Sequence, residues 1–271
     1  MHAALAERPA PRPGGTPPLM RFDAIRHDFD TAGGSLRALD RISLDIDRSE
    51  FVAVVGSSGC GKSTLLRIAA GLLAPSEGRA VFSGTPVSAP RPEIGMIFQD
   101  AVMLPWFSVI ENVVLPVRIA GGDMAAARRE AAERLDLVGL AGFHDAAPGA
   151  LSGGMRQRAS IVRALMMKPR LLLMDEPFGA LDALTRERMN IELARIAEES
   201  GIAVLLITHS ISEAVFLADR VVVMTPRPGR IAEEIAVPLA RPRSERTLLE
   251  PDFAAICHRV RRHFQSETGI E

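Results

Sequence analysis

The chain has no tyrosine, one tryptophan and two cysteines in 271 residues. Cys60 and Cys257 are too few for the disulfide framework of a small secreted domain, so reduced thiols in an intracellular setting are the expectation. Long apolar runs are missing as well. Stretches such as Phe51–Val55, Ala203–Ile207 and Val221–Met224 hold four to five residues, against the roughly 20 that a membrane-crossing helix needs. Any membrane role is therefore expected to come through a partner. Nor is there a surplus of positive charge. The formal net charge is -1 and Arg259–Arg262 is the one basic block, which argues against the broad phosphate-backbone footprint of a nucleic-acid binder. Met1–Pro18, rich in Ala, Pro and Arg, lacks the apolar segment of a signal peptide, and residues 1–19 are expected to form a disordered extension.

A hydrophobic content of 47% suits one large packed α/β domain. Phe22–Ile46 alternates apolar and polar residues around Gly33-Gly34, as an antiparallel hairpin would. Phe51–Val55 is continuously apolar, as expected of a parallel strand buried on both faces. The turn Gly56–Gly61 then leads into a helix over Ser63–Ala70, stopped by Gly71. Three further apolar runs end at a polar residue: Gly95–Phe98 before Gln99, Leu171–Met174 before Asp175, and Ala203–Ile207 before Thr208-His209. In an open parallel sheet ligands sit beyond the carboxyl ends of the strands, so all four runs aim at one crevice. Between Gln99 and Leu151 the pattern turns helical, with Ala125–Val138 placing Leu135, Leu137 and Val138 on its apolar side. Beyond Met224 the prolines Pro226, Pro228, Pro238 and Pro242 among short strand-like pieces suggest a loose peripheral segment. Pro251 opens a last helix with Phe253, Ile256, Val260 and Phe264 on one face.

Gly56-Ser57-Ser58-Gly59-Cys60-Gly61-Lys62-Ser63-Thr64 is a phosphate loop. Its glycines let the backbone approach a phosphate, the N–H groups of Gly59 to Thr64 cradle it, Lys62 reaches the β and γ phosphates and Ser63 offers a hydroxyl to Mg²⁺. Cys60 is read as a short side chain filling a slot. Asp175 is the expected holder of that cation, directly or through water, and Glu176 the candidate base for the attacking water. Two adjacent carboxylates would repel a phosphate unless a metal intervened. A second Gly-rich segment, Leu151-Ser152-Gly153-Gly154, opens a helix from Met155 to Met167 and makes another anion site from free N–H groups. Since the first loop has its own lysine, the second is expected to serve a nucleotide held by another copy, through head-to-tail pairing.

Taken in order, these motifs resemble the Walker A, signature and Walker B motifs of the ATP-binding subunits of ABC transporters, over about Phe22 to Arg243. The resemblance implies a P-loop NTPase of α/β class. It has a mostly parallel core sheet, an antiparallel β subdomain and a helical subdomain of about residues 100–168 inside an ATP-binding domain of residues 20–243, with residues 244–271 as a helical tail. By the same resemblance Gln99 is the Q-loop residue touching Mg²⁺ or water, His209 the switch histidine on the γ-phosphate side and Asp182, in Gly179-Ala180-Leu181-Asp182, part of a D-loop that crosses to the partner. The family commonly stacks adenine on a tyrosine, which this chain lacks; Phe29 is the best match by position, with Phe22 and His27 as competitors. Met155 stands where many members carry Gln, which leaves a backbone-built anion site intact. The apolar run Val102–Phe107 is open to two readings, a groove for a helix of a membrane partner or the core of the helical insertion.

Asp175 to Asp182, Thr185-Arg186, Pro226–Ile231 and Arg241–Arg243 look like the nitrate, sulfonate and taurine importer branch, which also takes in thiamine-precursor importers. The implied protein is a peripheral ATPase on the cytoplasmic side of a membrane. It would be paired with a second copy, joined to permease subunits and served indirectly by a periplasmic or extracellular solute-binding protein. ATP and Mg²⁺ are the implied cofactors and nucleic acid is not a partner.

Overall fold

The computed structural model describes residues 17–31, 34–179 and 181–268, with side chains through Phe264. The expected extension lies almost wholly outside the described residues, as do Gly33 of the hairpin and Ala180 of the D-loop.

Two sheets share one side of the core. β1 (Met20–Thr31) and β2 (Gly34–Ile46) pair antiparallel from Met20 opposite Ile46 to Thr31 opposite Gly34, and β4 (Glu77–Phe82) and β5 (Thr85–Pro86) complete a sheet of order β2-β1-β4-β5. The second sheet has the order β10-β9-β3-β8-β7-β6. In it β3 (Phe51–Val55), β6 (Ile94–Ile97), β7 (Leu171–Asp175), β8 (Ala203–Thr208) and β9 (Arg220–Met224) run parallel, and β10 (Ile231–Ala236) is antiparallel at the edge. The unbroken apolar runs follow from burial on both faces. Phe51, Ala53 and Val55 enter the cluster formed with α5 (Ala183–Ser200), α6 (Ile211–Leu217) and α7 (Pro251–Thr268), whereas Val52 and Val54 enter the cluster under the antiparallel sheet and α1 (Lys62–Ala69).

Strand register aligns the ends that matter. Val55 lies opposite Thr208, Asp175 opposite Ile207 and Ile97 opposite Met174, so the loops after β3, β6, β7 and β8 emerge side by side, as expected for one crevice. The third hydrophobic cluster belongs to α2 (Val109–Ile119), α3 (Met124–Leu137) and α4 (Gly153–Leu165). Here one expectation is corrected. The buried side of α3 is Ala127, Ala131 and Leu135, and Leu137 is 69% exposed, because a residue two positions on from Leu135 points to the opposite side of a helix.

The segment after Met224 is not loose. β10 pairs along β9 from Ile231 opposite Met224 to Ala236 opposite Arg220, and the backbone of Gly229 bonds to Ala38 and Asp40 of β2. Prolines there shape a turn between two paired strands and do not break the structure. α7 docks as its pattern requires, with Phe253 and Val260 buried and Ile256 and Phe264 packed beside them.

Candidate active site

The phosphate loop is stiffened from inside. Lys62 is buried, and its ammonium donates to the carbonyls of Gly56 (2.8 Å) and Ser57 (3.0 Å). Gly61 has φ +105°, and a Cβ there would stand 2.6 Å from Leu39 Cδ2 and 2.8 Å from the Ala38 carbonyl, so β2 itself forbids a side chain at the start of α1. Cys60 is buried with its sulfur against Gly56, and burial pushes its thiol up, which fits the slot-filling role. Thr64 is half-buried, while Ser58 and Gly59 are exposed at the crest of the loop.

The acidic pair sits one strand beyond β8. The Ser63 hydroxyl donates to Asp175 Oδ1 at 3.1 Å. Burial pushes the Asp175 acid above the usual carboxylate range, the Ser63 bond opposes that and the neighbouring Glu176 charge adds to it. Such a carboxylate gains from a nearby cation. Among the described residues no group of three or more His, Cys, Asp or Glu side chains could hold a metal by itself. The hard oxygen donors of Ser63 and Asp175 beside an open phosphate cradle fit Mg²⁺, which takes one or two protein ligands and completes its shell with phosphate and water. Glu176 has φ +45°, held by its N–H on the Ile207 carbonyl (2.8 Å) and by Gly179 N–H on its own carbonyl (3.2 Å). This backbone turns its carboxylate to His209, whose Nδ1 lies 3.0 Å from Oε2. The base candidate and the switch candidate, 33 residues apart in sequence, are thus hydrogen-bonded.

The remaining candidates lie around this centre. Gln99 is exposed two residues past β6. Asp182 caps α5, its carboxylate accepting from Thr185 N–H at 3.0 Å, which holds the acid below its ordinary value. Ser152 caps α4 by accepting from Met155 N–H at 3.3 Å; it and Gly153 are exposed, and a Cβ on Gly154 would stand 2.7 Å from Leu181 Cδ2. The phosphate loop and Leu151–Gly154 share no hydrogen bond among the described residues. Of the three aromatic candidates Phe22 is committed to the core and His27 is buried edge-on against Phe29, with ring centroids 4.5 Å apart; Phe29 alone is half-exposed. In the run Val102–Phe107, Met103 enters the helical core while Val102 and Trp106 face outward, so the two readings divide between residues. Buried Asn112 holds this loop by bonds to Leu104, Phe107 and Ser108.

Sequence reasoning missed several supporting side chains. Buried Gln157 of α4 reaches the Phe98 carbonyl (3.4 Å), tying the signature helix to the approach to Gln99. Arg186 holds the carbonyls of Phe178 (3.2 Å) and Leu181 (2.8 Å), on the loop that leads to Asp182. Buried Glu213 accepts from the Thr208 hydroxyl directly before His209. A polar residue on an otherwise apolar helix face was the available signal for Asn112 and Glu213.

The family model described as "ABC transporter" matches residues 39–179. The nitrate import ATP-binding protein NrtD of Synechococcus elongatus is 42% identical over 241 residues, 88% of this chain and 88% of that one. The taurine import ATP-binding protein TauB of Rhizobium johnstonii is 47% identical over 84% of this chain and 89% of its own. A solved dimeric ATP-binding cassette in a post-hydrolysis state, bound to ADP and Pi, superposes with a TM-score of 0.74 at 30% identity, covering 82% of this chain and 100% of that one.

Proposed function

The chain belongs to the ABC transporter family, and on that premise we propose that it is the ATP-hydrolysing subunit of an importer for a small solute of the nitrate, sulfonate or taurine type. One observation carries the catalytic reading: strand register brings Lys62, the Ser63–Asp175 pair and the Glu176–His209 pair to the same end of one sheet.

In this reading Gly59 to Thr64 bind the β and γ phosphates through backbone N–H groups and Lys62. Ser63 and Asp175, with Gln99, hold Mg²⁺. When bound, the cation supplies positive charge against the acidic pair and the phosphates. Glu176 orients and deprotonates the attacking water; its strained backbone and the His209 bond fix where the carboxylate points. Phe29 stacks the adenine. Ser152, Gly153 and Gly154 complete the γ-phosphate site of a second copy, and Asp182 lies in the loop that crosses to it. Closing with the γ-phosphate and opening without it is the lever passed to a permease. No helix among the described residues is long and apolar enough to cross a membrane, which supports peripheral attachment through such a permease. We place the attachment on the cytoplasmic side, with an external solute-binding protein supplying the substrate.

The test is copurification from detergent-solubilised native membranes. Recovery with a multi-span permease, together with ATP hydrolysis lost in Glu176→Gln, is the expected result. Recovery with ribosomes or DNA-bound proteins would overturn the transport assignment.

A further inference from the structure

The turn between β9 and β10, Thr225-Pro226-Arg227-Pro228-Gly229-Arg230, leaves its own sheet and runs to the phosphate loop. Arg227 Nε (3.1 Å) and Nη2 (3.0 Å) both donate to the Gly59 carbonyl, across 168 residues of sequence. Gly229 N–H donates to Ala38 O (2.9 Å) and Asp40 N–H donates back to Gly229 O (3.0 Å), so β2 gains a short extra bridge. A Cβ on Gly229 would stand 2.1 Å from the Cys60 carbonyl, which makes this glycine the one residue that fits between β2 and the phosphate loop. Arg230 Nε donates to Asp40 at 2.9 Å, and Thr225 closes the turn by giving its N–H to the Arg230 carbonyl (2.9 Å).

We infer that this turn is a strut that sets the phosphate loop against the sheet carrying Phe29, and that Arg227 is a positioning residue for nucleotide binding. The inference rests on the ATP-binding reading of the loop. A loop built around glycines at φ +75° and +105° has little intrinsic stiffness, and Lys62 ties down only its first half. Arg227 fixes the crest, where Ser58 and Gly59 are exposed. Pro226 and Pro228 restrict the backbone on either side of it, so little freedom is lost when the guanidinium engages. Two donors hold the Gly59 carbonyl while the N–H of the same Gly59–Cys60 peptide donates to the Ser57 carbonyl (3.3 Å), so this peptide of the crest is braced at both ends. The same turn grips Ala38 and Asp40, two positions that flank Leu39, which packs on Gly61. Phosphate and base subsites, on separate sheets, are thereby held at one separation.

The experiment uses the full chain, with ATP and inorganic tripolyphosphate as separate calorimetric probes. Arg227→Ala is expected to weaken both about tenfold, the worth of a charge-assisted pair of hydrogen bonds. In steady-state hydrolysis KM should rise by that factor while kcat falls less than about threefold. Arg227→Lys, which keeps one donor and the charge, should recover part of the loss. Parent-like binding of both probes by Arg227→Ala overturns the inference. So does a loss for ATP with tripolyphosphate untouched, since the defect would then lie at the base. So does an Arg227→Ala chain that melts well below the parent and is not improved by Lys, which would make the contact structural only. Lys62→Ala separates this from the underlying reading: if it too binds ATP like the parent, the loop is not the phosphate site. If it fails while Arg227→Ala is normal, only the strut is wrong.

Discussion

The chain carries two Gly-rich loops that each open a helix, and they are finished to different degrees. The loop before α1 is closed on itself: its lysine is buried on its own carbonyls, Gly61 abuts β2, Gly59 lies against Arg227, and Asp175, Glu176 and His209 stand around it. The loop before α4 is bare. Ser152 caps its own helix, Ser152 and Gly153 face outward, and no acid or histidine of the described chain is hydrogen-bonded to Leu151–Gly154. One Gly-rich loop is thus surrounded by partners from its own chain, and the other offers only a helix N-terminus. That asymmetry is what the proposed head-to-tail dimer requires.

The largest expected effect tests the finished loop. Glu176→Gln should lower kcat by about 10²- to 10⁴-fold, the usual worth of a positioned base, while ATP binding persists and an ATP-bound dimer accumulates. Chromatography with radiolabelled ATP checks both at once, and parent-rate hydrolysis would remove Glu176 from its role. Next comes the bare loop. Ser152→Arg should cut hydrolysis by about 10²-fold, comparable to losing one stabilising donor in a transition state, with binding of ATP to the monomer unchanged. Weaker monomer binding would mean that Leu151–Gly154 serves its own chain, and the contrast between the loops would collapse.

Most of the finished loop was legible in the sequence because its parts are runs of consecutive residues. Phosphate loops and strand-end acids need neighbours in sequence, and parallel strands buried on both faces announce themselves as unbroken apolar stretches. What was not legible is what crosses the fold. Arg227 and Gly59 meet only because β9 lies beside β3 in the sheet, which spacing cannot reveal, so the prolines around Arg227 read as looseness. Gln157 and Glu213 belong to no motif, and the groups they hold, the Phe98 carbonyl and the Thr208 hydroxyl, lie on other elements. On α3 Leu137 is apolar like its neighbours Leu135 and Val138, and only its angle around the helix puts it in solvent.

A milder substitution at the bare loop separates its two duties. Ser152→Ala removes the cap on Met155 N–H, at a cost of about 1 kcal/mol, which for a domain of this size lowers the melting temperature by about 2–4 °C. Hydrolysis should fall less than in Ser152→Arg, because the backbone N–H groups of the proposed anion site survive and no bulk enters the proposed interface. A melting point unmoved in Ser152→Ala, with activity lost as fully as in Ser152→Arg, would make the hydroxyl a ligand contact and not a cap.

The smallest effect probes the buried side of the finished loop. Burial raises the Glu213 acid above its usual range, the Thr208 hydroxyl and the charges of Arg186 and His209 oppose this, and Glu176 adds to it. One carboxyl oxygen has no hydrogen-bond partner. At a pH below the unfolded value of about 4.3, folded and unfolded chains are both protonated there and Glu213 is neutral for stability. As pH rises toward the raised folded value, the unfolded chain ionises first and the folded state loses ground. Glu213→Gln keeps an acceptor for Thr208 and removes that penalty, so its melting temperature should match the parent below about pH 4 and exceed it increasingly as pH rises toward about 8. A variant less stable than the parent at both values would show that the ionised carboxylate is held by Arg186 and is part of the site's charge balance. The finished loop would then depend on a buried anion that the bare one has no counterpart for.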